Sequence, residues 1–350
     1  MPPTVIVGMS GGVDSSVTAL LLKQQGYRVI GLFMKNWEET DPEGRCMASR
    51  EFEDVVKVCD QLEIPYYSVN FVEEYREAVF SQFLGDIQKG LTPNPDVLCN
   101  REIKFKAFLQ KSKELGGQFL ATGHYCRTDA EGRLLKGVDP EKDQSYFLHA
   151  VGHIALRSVL FPVGALRKSQ VRALAAAHGL ATSEKKDSTG ICFIGKRDFK
   201  PFLAKYIGLK PGHFKTLAGE VVGEHEGMAF YTIGQRRGMG LGGEGDAWYV
   251  VDKDAASNVV FVERGANHPA LFRERLTATE LSWVRGEMPA VPFSCTAKIR
   301  YRQADQQCTV LSIENGVAEV VFDAPQRAVT PGQSVVFYDG DECLGGGVIQ

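Results

Sequence analysis

The segment Ser10-Gly11-Gly12-Val13-Asp14-Ser15 constrains the fold more than any other stretch of the chain. It follows the apolar run Val5-Ile6-Val7-Gly8-Met9 and opens a helix-like stretch, Ser16 to Gln25, that Gly26 ends. A strand, a glycine turn and a helix in that order make one unit of an α/β sheet. Backbone N–H groups at such a turn point at a phosphate, and the helix dipole favours its charge. A glycine turn that only joins strand to helix needs neither the hydroxyls nor the acid found here. The segment lacks the Gly-Lys-Ser/Thr ending whose lysine reaches the outer phosphates of a nucleotide. A loop without that lysine holds pyrophosphate through backbone donors and hydroxyls. That suits cleavage between the α- and β-phosphates, with AMP handed to an acceptor.

The 350 residues allow about two to three domains at roughly 100–200 residues each. Apolar residues make up 44% and charged residues 24%, the ordinary balance of a soluble globular protein. No apolar stretch reaches the ~20 residues of a membrane span. Met1-Pro2-Pro3 leads straight into a strand, with no basic flank, apolar segment or cleavage site. These features predict a cytoplasmic protein with no membrane partner. The net charge of −3 excludes a generally basic nucleic-acid coat. Basic residues gather at Lys185-Lys186, Lys196-Arg197, Arg236-Arg237 and Arg300-Tyr301-Arg302, and a local patch suffices to grip a folded RNA. Composition permits an RNA partner without demanding one.

Up to Ala130 the pattern alternates. Val5–Met9, Arg28–Met34, Tyr66–Val69 and Phe119–Thr122 read as strands; Ser16–Gln25, Ala48–Leu62, Glu73–Leu84 and Lys104–Leu115 read as helices. Phe52, Val55, Val58, Cys59 and Leu62 share one helical face. This α/β alternation predicts a parallel sheet with helices on both faces and ligands beyond the carboxyl ends of its strands. Ser10–Ser15, Met34 and Gly123-His124 fall there. Asp143 to His178 reads as helical with a break at Phe161-Pro162-Val163-Gly164, and Ser183 to Gly195 reads as a loop. After residue 205 glycines become frequent and apolar runs short. Gly219–Gly223, Ala229–Ile233, Trp248–Asp252 and Val259–Val262 suggest a small β-rich middle domain. Cys295–Tyr301, Gln307–Ile313, Val317–Phe322 and Ser334–Tyr338 suggest a C-terminal β-barrel. The expected domains are residues 1–204, 205–268 and 269–350.

The eight cysteines are Cys46, Cys59, Cys99, Cys126, Cys192, Cys295, Cys308 and Cys343. None shows C-x-x-C spacing, and no protein-only metal site is visible. A chain this long at a reducing address has no need of disulfide staples, so most read as small buried hydrophobes, Cys59 among them. Cys99 and Cys192 stand apart. A phosphate loop with two thiols suggests a reaction that spends a nucleotide to place sulfur.

The first loop resembles the PP-loop of the ATP pyrophosphatases, whose sheet is of the adenine-nucleotide alpha-hydrolase type. Further signatures narrow the resemblance. They are Thr92-Pro93-Asn94-Pro95-Asp96-Val97-Leu98-Cys99-Asn100, Ala121-Thr122-Gly123-His124-Tyr125, Lys142-Asp143-Gln144-Ser145-Tyr146-Phe147-Leu148 and Asp187-Ser188-Thr189-Gly190-Ile191-Cys192-Phe193-Ile194. Tyr231-Thr232-Ile233-Gly234-Gln235-Arg236-Arg237-Gly238, Ile299-Arg300-Tyr301-Arg302 and Thr330-Pro331-Gly332-Gln333 follow. On these motifs the chain resembles, nearly end to end, the tRNA-specific 2-thiouridylases of the MnmA type.

The resemblance implies a tRNA-uridine 2-sulfurtransferase. ATP would adenylate the C2 oxygen of the wobble uridine of certain tRNAs, and sulfur would displace AMP to give 2-thiouridine. The implied partners are tRNA and a persulfide carrier protein fed by a cysteine desulfurase. The implied cofactors are ATP and the Mg2+ that travels with it. Cys192 would carry the persulfide. Cys99 would attack or resolve it and leave a Cys99–Cys192 disulfide, an exchange that needs a thiolate at one sulfur and access to the other.

Gly8, Met9, Ser10, Gly11, Gly12, Val13, Asp14 and Ser15 would hold the phosphates, and Met34 and Gly123 the adenosine. Asp14 would help orient the metal. Asn94, Pro95 and Asp96 correspond to the loop that receives the target base, which must leave its stack to be reached. Asp96 reads either as a general acid/base or as a former of the Asn94-Pro95-Asp96 turn. His124, Lys142, Asp143, Gln144, Arg300, Tyr301 and Gln333 correspond to tRNA contacts, with Arg and Lys for phosphates and Tyr for stacking. Each is otherwise an ordinary surface or capping residue.

One departure is Cys126, where the family usually has alanine. It is either a third thiol near the site or a small residue in alanine's place. A PP-loop ligase for a small molecule would need neither two such cysteines nor a β-rich tail. A non-enzymatic RNA-binding or sulfur-carrier protein would not keep the loop intact.

Overall fold

Val5, Ile6 and Val7 are completely buried, as expected of a strand covered on both faces. In the computed structural model, which describes residues 1–38, 47–187 and 199–350, this strand is β1 (Thr4–Met9). It pairs in parallel with β2 (Arg28–Lys35) on one side and β4 (Phe119–Ala121) on the other. β3 (Tyr66–Asn70) extends the sheet beyond β2. Two short strands, β5 (Cys126–Thr128) and β6 (Leu134–Lys136), form a hairpin outside this sheet. β7 (Val159–Leu160) then returns to pair with β4. The resulting order is β3-β2-β1-β4-β7. The chain changes direction between β1 and β4, and ligands of open α/β sheets bind at such a switch point.

β7 was not expected, because Asp143 to His178 read as helical. The structure has there a 3-10 turn at Ser145–Leu148, a single turn at His153–Leu156, β7, and a helix only at Lys168–Ala177. Two residues are too short a run to show a period. Gly164 marks the real constraint: a Cβ there would lie 1.7 Å from the Cys126 carbonyl oxygen. The helix expected from Lys104 starts earlier, at Pro95, because Pro95 occupies its first position and Asn94 caps it, Oδ1 accepting from Asp96 N at 3.2 Å. It continues through Cys99–Phe108, wound with wide π-helical turns, into Leu109–Glu114.

The middle region is a four-stranded sheet of Gly212–Lys215, Val221–His225, Trp248–Asp254 and Val259–Arg264. The strand expected at Ala229–Ile233 is absent. A 3-10 turn, Met228–Phe230, takes its place, and Met228 and Tyr231 fill the core against Phe214. The C-terminal region is a closed six-stranded barrel of Phe272–Trp283, Phe293–Lys298, Gln306–Glu314, Val317–Arg327, Ser334–Asp339 and Glu342–Ile349. Its first and last strands pair, Ala278 with Ile349 and Trp283 with Gly345. Closure removes the open edges.

The last strand, which carries Gly345-Gly346-Gly347, is not among those the sequence pattern picked out. The glycines are steric requirements of the closed barrel: a Cβ at Gly345 would lie 2.1 Å from the Ser282 carbonyl oxygen and one at Gly346 2.4 Å from that of Val335. The β5–β6 hairpin pairs with this strand, Leu134 opposite Cys343. The first and last regions thereby share one sheet. Among the described residues no helix is long and apolar enough to cross a membrane.

Candidate functional site

At the carboxyl end of β1, Gly11 takes φ +70°, and a Cβ there would lie 2.6 Å from the Glu51 carbonyl oxygen. Only glycine fits. Ser10 N donates to Ser15 Oγ at 3.2 Å, and Ser15 Oγ donates to the Gly12 carbonyl oxygen at 3.0 Å, which closes the loop on itself. Gly12 is the N-cap of α1 (Val13–Gln24), and no side chain caps this end. The first-turn N–H groups are therefore open to an anion. Met9 and Val13 are buried and offer the site only their backbone. Gly8 lies against Phe108, its Cβ position 3.2 Å from the ring. Met34 is partly buried near the end of β2. Gly123 is flush with the loop: a Cβ there would lie 2.9 Å from Asp14 C and Ser15 N.

Asp14 does not stand free. Tyr125 OH donates to its Oδ1 at 2.6 Å, and Lys168 Nζ lies 2.7 and 2.8 Å from its two oxygens. Lys168, nearly buried, also pairs with Asp187 at 2.9 Å. Asp187 receives Lys142 at 2.8 Å and Arg172 at 2.7 Å as well. Burial pushes the Asp187 carboxyl up, but the hydrogen bonds from Lys142 and Lys168 outweigh it and hold the pKa at about 2. On the other side of the loop, Lys185 Nζ donates to the Gly11 carbonyl oxygen at 2.8 Å and pairs with Asp54 at 2.7 Å. Sequence reasoning missed Lys168, Tyr125 and Asp187 as partners of the loop. They lie more than a hundred residues away in sequence, and although Tyr125 and Asp187 stand in the motifs quoted above, nothing in those motifs says that they meet Asp14 or its lysine.

The second loop begins at Thr92. Asp96 lies in the first turn of the capped helix, where burial raises its carboxyl pKa and Lys104 opposes the rise. Cys99 is buried one turn further on. His124, next to Gly123, has Nδ1 2.7 Å from Thr122 Oγ1 and Nε2 3.5 Å from Lys104 Nζ. Burial, aided by Lys104, keeps this imidazole well below its usual pKa and so neutral. His124 and Lys104 thus bridge the phosphate loop and the helix of Asp96 and Cys99.

The residues matched to tRNA contacts scatter in environment. Arg300 is exposed. The Tyr301 ring packs at a tilt of 47° against Phe147, with ring centroids 4.5 Å apart. Lys142 is engaged by Asp187. Gln144 Oε1 accepts from Tyr125 N at 2.9 Å, and Gln333 Nε2 donates to the Thr92 carbonyl oxygen at 2.7 Å. Asp143 is buried and accepts from Gly137 N, Ser145 N and Ser145 Oγ. Cys126 is fully buried on the β5–β6 hairpin, and burial holds its thiol well above the ordinary range. That is the behaviour of a small residue in alanine's place. Cys192 and Cys46 lie outside the described residues.

This arrangement defines a class: an α/β protein whose glycine-rich phosphate loop is linked, through His124 and Lys104, to a helix that carries an acid and a thiol. Three domain models match. Residues 3–196 fit a tRNA methyl transferase HUP domain, 200–264 a tRNA methyl transferase PRC-barrel domain, and 273–349 an aminomethyltransferase beta-barrel domain. Full-length relatives are closer. The tRNA-specific 2-thiouridylase MnmA of Protochlamydia amoebophila is 62% identical over 99% of this chain and 93% of its own length. That of Bacillus subtilis is 56% identical over 99% and 94%. The chain belongs to the tRNA-specific 2-thiouridylase family.

Proposed function

We propose that this chain thiolates the wobble uridine of tRNA in the cytoplasm, in two steps that use ATP and a protein-borne persulfide. Family membership makes it a tRNA sulfurtransferase, and the site supplies a physical account of the chemistry. The observation that carries it is the convergence of two loops. Gly123 seats directly on Asp14 and Ser15, and the adjoining His124 meets Lys104 of the Cys99 helix.

A uridine carbonyl oxygen is a poor leaving group, and adenylation makes it a good one. The open N–H groups of α1 and the hydroxyls of Ser10 and Ser15 would hold the phosphates of ATP. Gly8, Gly11, Gly12 and Gly123 let the chain close tightly around that phosphate site, and Met34 would flank the adenosine. Mg2+ would arrive on the nucleotide, as it does with ATP, with Asp14 as the carboxylate beside it. Asn94, Pro95 and Asp96 would receive the flipped uridine, with Asp96 exchanging its N3 proton. Cys192 would bring the sulfane sulfur from a carrier protein. Cys99 would attack Cys192 and release that sulfur onto C2, with AMP leaving. Arg300 and Tyr301 would meet the tRNA backbone and bases.

The test is tRNA-dependent ATP–pyrophosphate exchange, followed by mass analysis of the nucleosides. Exchange stimulated by tRNA, with 2-thiouridine formed when a persulfide donor is added, is the expected result. A methylated nucleoside, or ATP use indifferent to tRNA, would refute the reading.

A further inference from the structure

The phosphate loop contains no lysine, and the two lysines that reach it are already engaged by carboxylates. Lys168 serves Asp14 and Asp187, and Lys185 serves Gly11 and Asp54. Lys104 differs. It is half-buried and makes no ion pair among the described residues; its hydrogen-bond neighbour is His124 Nε2 at 3.5 Å. Asp96 feels its charge without forming a salt bridge to it. A cation held in a partly dehydrated site without a counter-ion is costly unless an anionic ligand completes it.

Helix geometry puts Lys104 there. Cys99–Phe108 is π-helical, so its backbone bonds run from i to i+5 and residues five apart lie near one face. In an α-helix, at about 100° per residue, positions 99 and 104 would point well apart. The widened turns bring Lys104 round toward the side of Asp96 and Cys99, and π-helical widening inside an α-helix is frequent at functional sites. Lys104 therefore stands between the uridine loop at Asp96 and the nucleotide loop at Gly123-His124.

We infer that Lys104 is a catalytic residue of the adenylation step, its ammonium placed against the non-bridging oxygens of the α-phosphoryl group. The inference rests on the two-step reading above. In that step the uridine O2 lone pair forms a bond to the α-phosphorus. The bond from the α-phosphorus to the bridging oxygen breaks, and pyrophosphate leaves with its electron pair. The N3 proton passes to the Asp96 carboxylate. Lys104 transfers no proton. It offsets the negative charge that the phosphoryl oxygens carry through the transition state, and the neutral His124 beside it adds no second positive charge.

The experiment uses the full chain with Lys104→Met and Lys104→Arg, intact tRNA, and the two diastereomers of ATP sulfur-substituted at the α-phosphate. K104M should lower kcat for tRNA-dependent ATP–pyrophosphate exchange by about 100-fold, the scale for removing one oxyanion partner. The affinity for tRNA and the melting temperature should stay close to those of the unaltered protein, and K104R should recover part of the rate. The rate penalty for sulfur at one diastereotopic position, present in the unaltered protein, should shrink in K104M. K104R carries this readout should K104M fold poorly. An undiminished penalty in both variants, or wild-type exchange in K104M with only 2-thiouridine lost, would overturn the assignment. Absence of tRNA-dependent exchange in the unaltered protein is a different result, and it would overturn the adenylation reading itself.

Discussion

Gln333 of the barrel donates from Nε2 to the main-chain oxygen of Thr92 at 2.7 Å. Thr92 N donates in return to the Pro331 carbonyl oxygen at 2.9 Å, and Gly332 lies so close that a Cβ would stand 2.8 Å from Thr92 N. The C-terminal barrel therefore holds the strand of chain that leads into Asn94-Pro95-Asp96. The loop proposed to receive the uridine is held by two regions of the protein, so a defect in the barrel would reach the chemistry without touching the nucleotide.

Gln333→Ala should separate two roles for this side chain. One lost hydrogen bond costs about 1 kcal/mol, so the fold should survive. If Gln333 holds the loop, kcat for thiolation falls while KM for ATP and the affinity for tRNA change little. Steady-state kinetics with a tRNA filter-binding measurement decide the matter. A loss confined to tRNA affinity would make Gln333 a direct RNA contact.

Gly123→Ala places a methyl group 2.9 Å from Asp14 C and Ser15 N. Both neighbours are backbone and cannot swing aside. Overpacking of this kind costs about 1–3 kcal/mol, here spent on shifting the phosphate loop. KM for ATP should rise at least tenfold, with tRNA binding retained. An unchanged KM would show that Gly123 is not part of the nucleotide site.

Much of this was legible from the chain. The run Val5–Met9, the glycine turn and the helix behind it reproduce the local rule for a phosphate site, and the structure places them at the switch point. The parallel sheet, the β-rich middle and the closed barrel follow from alternation and short strands. What escaped was nonlocal. β7 is two residues long and is defined by its partner β4. Glu342–Ile349 went unmarked, because its three glycines are required only by the closed barrel. The clamp of Lys168 on Asp14 joins residues with no shared motif, and the wide turns of Cys99–Phe108 leave no mark in the hydrophobic pattern.

Asp187 offers a test by pH. Its carboxyl is held at about 2 in the fold and would titrate near ~3.9 in the unfolded chain. A lowered folded-state pKa gives stability that is fully present above about pH 4 and lost as the pH falls toward 2. The carboxylate is 31% exposed, so solvent screening reduces its contribution to about 1 kcal/mol. Asp187→Asn should lower the melting temperature at pH 6, and the gap from the unaltered protein should close by pH 2. A gap that persists at pH 2 would assign the loss to packing around Lys168 and Arg172 instead of charge.

The two cysteines give the last test. Cys192→Ser should abolish 2-thiouridine and leave tRNA-dependent ATP–pyrophosphate exchange largely intact, because in the proposed sequence the thiol acts after adenylation. Cys99→Ser should behave alike in exchange but should accumulate persulfide on Cys192 when a donor is supplied. After one turnover without reductant, the unaltered protein should contain a Cys99–Cys192 disulfide, which requires Cα atoms within about 7 Å of each other. Cys126 and Cys343 are sealed in the sheet that joins the first and last regions, and burial raises both thiols well above the ordinary range. They should stay reduced under the same conditions. Peptide mapping after a single turnover reads all four at once. A bridge between Cys192 and Cys126, or no bridge at all to Cys99, would remove the two-cysteine step while leaving the adenylation step standing.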